Sequence, residues 1–97
     1  MIKFTEKERN VLRQFDRAGE GAYFEIALNI MNEHKGVHLV HSDGSKEKIN
    51  MKTWEKLWSR HIVMALKKNS IEWLPERKGG VVKLYRCVPF PYVLEEI

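Results

Sequence analysis

Cysteine is nearly missing from this chain. Cys87 is the only one in 97 residues, so no disulfide can form within it and the fold must rest on its core. Long apolar runs are missing too: none approaches the roughly 18 residues that a membrane-crossing helix needs. Met1 to Glu6 contain no apolar stretch of the kind that opens a secretory signal. Internal repeats, low-complexity tracts and linker-like segments are also lacking. These absences lead us to expect one cytoplasmic domain spanning residues 1–97, with residues 88–97 as a tail packed on the body. No glycine-rich phosphate loop, nucleophile motif or acid/base pair is evident, and we expect no enzymatic activity, cofactor or small-molecule substrate. Glu6, Glu8, Glu95 and Glu96 read as cap and tail charges.

What the chain has is an uneven supply of positive charge. Lys and Arg number 17 against 13 Asp and Glu, a net charge of +4. Residues 46–86 hold 11 of those cations and only 4 of the acids, so the remainder is mildly acidic. A basic segment on such a body suggests a surface that faces a polyanion. At 43% hydrophobic and 31% charged, the composition is that of a globular protein.

The periodicities predict an α+β order of helix, helix, short hairpin, helix, hairpin and tail. Thr5 and Glu8 form a capping box ahead of Val11, Leu12, Phe15 and Ala18, and Gly19 and Gly21 end this first helix. Phe24, Ala27, Leu28 and Met31 suggest a second helix from about Ala22 to His34, widened by Tyr23, Ile26 and Ile30 and closed by Gly36. Val37–His41 reads as a strand, Ser42-Asp43-Gly44-Ser45 as a turn, and Lys46–Ile49 as a short partner strand. Asn50 caps a third helix expected to run to about Lys68, with Trp54, Leu57, Trp58, His61, Ile62 and Ala65 facing inward. Ser70–Leu74 and Val81–Val88 form a hairpin around the loop 75–80. Phe90 and Tyr92, between prolines, are expected to be buried by the tail.

The outer side of the third helix carries the functional signal. At about 100° per residue, Lys52, Thr53, Lys56, Ser59, Arg60 and Lys67 lie opposite the apolar stripe. Lys and Arg neutralise phosphates, Arg60 can bond a guanine edge, and Thr53 and Ser59 can bond bases or phosphates. Arg77 and Lys78, on a loop with Gly79 and Gly80, add a second basic element that can approach a backbone closely.

From Trp54 to Val88 the order of these pieces resembles the winged-helix (winged helix-turn-helix) family of DNA-binding domains. Ser59 to Trp73 look like the end of a recognition helix and the first wing strand. Glu76 to Arg86 look like the wing tip and second wing strand, and the first helix suits the family's opening helix. The resemblance implies a winged-helix-like fold of three helices with a C-terminal hairpin wing, here with an extra short hairpin between the second and third helices. It implies a recognition helix at about 50–68 and a wing at 75–81 contacting double-stranded DNA, as in a small regulator of transcription or replication. A homodimer would double the readout, with the apolar second helix and the Phe90/Tyr92 tail as candidate surfaces. The alternative is a protein-interaction module or inhibitor, of the kind small phage or plasmid proteins supply, whose basic face meets an acidic protein.

Other conspicuous residues read as structural. His34, His38 and His41 have no paired ligand set around them, so no metal site is expected. His61 reads as a satisfied core histidine, Cys87 as packing, and Trp54, Trp58 and Trp73 as core rather than stacking platforms.

Overall fold

The computed structural model of the chain describes residues 3–66, 71–73 and 81–97. The mixed α+β class holds, but the balance moves toward sheet. A helix, α1 (Glu6–Arg17), is followed by β1 (Tyr23–Asn29), β2 (His34–Val40), β3 (Lys46–Lys48), α2 (Met51–Ser59), β4 (Val63–Ala65), β5 (Ile71–Trp73), β6 (Val81–Pro89) and the short α3 (Pro91–Leu94). The strands form one six-stranded antiparallel sheet in the order β3-β2-β1-β6-β4, with β5 also on β6. β4 and β5 lie one after the other along the same side of β6, because Ala65 pairs with Cys87 and Ile71 with Tyr85.

α1 begins as its sequence predicts. Thr5 Oγ1 accepts from the Glu8 N–H, and Glu8 Oε1 accepts from the Thr5 N–H at 2.8 Å. Gly19 takes φ +99°, and a Cβ there would meet Ser42 Oγ at 2.5 Å, so only glycine allows the Ser42 N–H to reach the Ala18 carbonyl. The end of α1 is thereby pinned to the β2–β3 turn.

The expected second helix at 22–34 is instead β1 and its turn. Phe24, Ile26 and Leu28 alternate onto one buried face, a period of two that the coincident spacing of Phe24, Ala27, Leu28 and Met31 conceals. Asn29 makes the difference. Its Oδ1 accepts from the Met31 and Glu33 N–H groups, its Nδ2 donates to Glu33 Oε1, and Asn32 turns the chain at φ 63°. A closed hairpin turn of this kind removes residues 29–33 from any helix. The supposed dimer surface on a second helix is therefore a central strand, packed under the helices. The hairpin expected between helices two and three is part of the same sheet, with β3 covering Lys46–Lys48.

The third helix stops at Ser59, well short of Lys68. Ile62 N–H donates to the Leu57 carbonyl and His61 N–H to the Trp58 carbonyl, with His61 left-handed at φ 56°. This is a Schellman ending with histidine where glycine is usual. Its consequences are that His61 is exposed rather than buried in the core, and that Val63–Ala65 join the sheet.

The core lies between one face of the sheet and the helices. Phe24, Ile26, Leu28, Val37, Leu39 and Cys87 meet Val11 and Leu12 of α1 and Trp54 and Leu57 of α2. Phe24 is its hub, stacked on Phe15 at 5.3 Å and tilted against Trp54 at 5.1 Å. In the tail, Val93 is the anchor. Phe90 is half-buried, and Tyr92 remains 50% exposed, contrary to expectation. Because a left-handed histidine is strained and glycine is not, His61→Gly is expected to raise unfolding stability by about 0.5–1 kcal/mol. Urea denaturation checks this, and a loss of stability would mean that the His61 side chain holds a contact of its own.

Candidate nucleic-acid interface

α2 buries Thr53, Trp54 and Leu57 and turns Lys52, Glu55, Lys56, Trp58 and Ser59 outward. Lys52 and Lys56 thus stand where the helical wheel puts them. Thr53 does not: it is 5% exposed, and its N–H is taken by the Asn50 side chain at 3.2 Å. The buried arc is centred on Trp54 and Leu57, so Thr53 falls inside it rather than opposite. Ser59 is exposed, and its hydroxyl donates to the Lys56 carbonyl at 3.2 Å.

Arg60 is not available to a DNA base in the way expected. Its guanidinium donates to Glu8 Oε1 at 2.5 Å and to the Lys3 carbonyl. Glu8 is completely buried, and its Oε2 has no hydrogen-bond partner among the described residues. Arg60 therefore binds the N-terminal segment and α1 to the end of α2. Lys67, Arg77 and Lys78 lie outside the described residues.

The fold adds two lysines that sequence reasoning missed. Lys7, in the first turn of α1, comes to the N-terminus of α2, and the two helix starts frame an open groove of about 720 Å³ bordered by Lys7, Lys52 and Lys56 with Glu6 as its acid. A neighbouring groove of about 290 Å³ continues from Lys7 to Lys48 at the end of β3. Four lysines from three elements are thereby gathered. The first turn of α2 contains no acid. Lys52 there opposes the helix macrodipole, a cost of a few tenths of a kcal/mol that a bound anion offsets.

At the last turn of α2 the surface changes character. Trp58, expected in the core, is 39% exposed. His34 meets it edge-on at 4.9 Å, and Trp54 Nε1–H donates to His34 Nδ1 at 3.1 Å. Burial pushes the His34 pKa below its ordinary 6.5, against a smaller upward pull from Glu55. His41 Nε2 lies 3.0 Å from Glu47 Oε2. Burial pushes the Cys87 thiol up to about 12, so it is held as an unreactive thiol. Among the described residues, no three His, Cys, Asp or Glu side chains gather as a metal site, and no helix is long and apolar enough to cross a membrane. Comparisons with protein-family models, curated proteins and solved structures find no match to this chain.

Two outcomes follow from these contacts. Arg60→Leu leaves the buried Glu8 carboxylate without its cation and is expected to cost about 1–3 kcal/mol in urea unfolding. Lys52→Ala/Lys56→Ala should stay within about 0.5 kcal/mol, and equal effects of the two would show that Arg60 is as dispensable as a surface lysine. For His34, unfolding restores the ordinary affinity for a proton, so the unfolded chain binds more protons between the lowered native pKa and 6.5. Its contribution to stability is complete above 6.5 and is lost as pH falls through the native value. The urea midpoint should therefore decline more steeply on acidification from pH 7 in the wild type than in His34→Gln; parallel declines would contradict this.

Proposed function

We propose that this protein binds nucleic acid, double-stranded DNA first among its forms, as a small regulator of transcription or replication. The observation that carries the reading is the convergence of Lys7, Lys48, Lys52 and Lys56 on adjoining grooves between the starts of α1 and α2. These residues are far apart in sequence, and only Glu6 among the groove-lining residues opposes them. Ammonium groups so arranged replace counterions along a phosphate backbone, which supplies affinity without base readout.

The mode differs from a recognition helix lying along the major groove. α2 has 9 residues, about 13 Å at 1.5 Å per residue. Lys52 in its first turn and Lys56 one turn on, rather than its whole length, meet the backbone. Of the winged-helix features, the reading keeps the opening helix, the basic helix and the C-terminal β5–β6 hairpin. Lys67, Arg77 and Lys78 remain candidate contacts from the segments that flank β5.

The test is fluorescence anisotropy of a labelled random-sequence duplex across a salt series. Four phosphate contacts give a log–log slope of about −3.6 on duplex DNA. Lys52→Ala/Lys56→Ala should weaken binding at every sequence and reduce that slope by about 2. Arg60 is left intact, since its loss would disturb the fold. No binding at low salt overturns the reading and passes the lysines to an acidic protein surface.

A further inference from the structure

Trp58 stands one helical turn beyond Trp54, yet the two have opposite surroundings. Trp54 is sealed against Phe24, whereas Trp58 keeps a free surface over a small cleft. The cleft, of about 280 Å³, is lined by Leu28, Asn32, His34, Trp58, Lys83 and Tyr85. His34 and Tyr85 both meet Trp58 edge-on, at 4.9 and 6.3 Å, which holds the indole in one orientation. Below the 300 Å³ or so of pockets for drug-sized ligands, such a space suits one planar ring system.

Its polar groups are mostly donors. Trp54 donates to His34 Nδ1, so the neutral imidazole keeps its own proton on Nε2. Burial pushes the Tyr85 phenol up, so its hydroxyl keeps its proton as well. Asn32 adds an amide, and Lys83 lines the same space. Beside the cleft, at the tip of the β1–β2 hairpin, Ile30 is 81% and Met31 74% exposed. The Asn29 side chain braces that tip with three hydrogen bonds, so these two apolar side chains are carried on a closed turn.

We propose that this cleft takes a single unstacked nucleobase on Trp58. The inference rests on the reading of the protein as a nucleic-acid binder and adds a base-contacting subsite to it. A base brings ring nitrogens and carbonyl oxygens in its own plane, which accept from the donors around the indole. An apolar side chain from a protein partner would cover the His34 and Tyr85 donors without giving them acceptors, at about 1–3 kcal/mol each. The geometry of α2 lets one strand reach both subsites. At about 100° per residue, its outward arc runs from Lys56 through Lys52, Ser59 and Glu55 to Trp58. Glu55 separates the lysines from the indole and repels phosphates from the Trp58 end, where a base is wanted.

The experiment uses three labelled probes of equal length: a random duplex, a thymidylate single strand, and the same strand with abasic sugars. Stacking of one base is expected to make Trp58→Ala bind the single strand about tenfold to a hundredfold more weakly, with Trp58→Phe close to wild type. The abasic strand should bind wild type as weakly as Trp58→Ala binds the intact strand. Binding of the intact strand should quench the fluorescence that wild type has and Trp58→Phe lacks. Equal binding of intact and abasic strands, or an unaltered Trp58→Ala whose thermal melt matches wild type, overturns the cleft assignment. If duplex binding then remains salt-dependent and sensitive to Lys52→Ala/Lys56→Ala, the lysine interface stands alone. If Trp58→Ala and the abasic strand lose affinity while the lysine variant does not, the cleft stands and the lysine interface falls. Failure of all three probes to bind removes both, and leaves Trp58 to an apolar protein partner.

Discussion

A single buried carboxylate fixes the relation between the two main helices. Glu8 closes the cap of α1 through the Thr5 N–H and accepts from Arg60 at the end of α2 with the same oxygen. Charges are seldom kept fully inside a protein unless paired, because removing one from water costs several kcal/mol. Here the pair turns that cost into orientation. With Arg60 committed to α1 and to the Lys3 carbonyl, the end of α2 is tied to the start of α1, in line with the packing of Trp54 and Leu57. In this arrangement Trp54 and Leu57 face inward and Lys52 and Lys56 outward.

The sheet is the other half of the frame. Helices cover the face bearing Phe24, Ile26, Val37 and Leu39, and they cover it closely enough to bury Cys87 and Trp54 completely. The opposite face carries Glu25, held by Lys46 at 3.1 Å, and Tyr23 beneath the Arg86 guanidinium at 4.8 Å. Both are interactions that tolerate water. α2 therefore does two jobs along one short helix: a continuous inner arc fills the core, and its outer arc passes from cationic to aromatic within about two turns.

How much of this was legible in the sequence differs from element to element. The capping box at Thr5, the Ser42–Ser45 turn and the Asn50 cap are local signals, and local hydrogen bonds realise each of them. β1 was hidden because its residues fit both a 3.6 and a 2.0 period over seven positions. Asn29, whose side chain closes the turn, carried the deciding information but had no distinctive neighbour such as glycine. The end of α2 was hidden for a related reason: histidine occupies the left-handed position, and Ile62 and Ala65 continue the helical stripe by coincidence. Lys52 and Lys56 could be read from the wheel, whereas Thr53 could not, since the centre of the buried arc is set by packing against α1. Lys7 and Lys48 join the site through tertiary contact alone, and nothing in the linear order marks them. Arg60 looked like one more groove-facing cation because its partner stands 52 residues away.

The position of β6 governs the order in which the molecule can assemble. β1, β2 and β3 pair through short turns, whereas β1 finds its other neighbour only when Asn29 meets Val81 and Phe24 meets Cys87. Pairings so distant in sequence form late, since the loop must close before contacts reward it. Until then one side of β1 is a bare strand edge in the middle of the future sheet. The last third of the chain must therefore return to that edge before the sheet is complete.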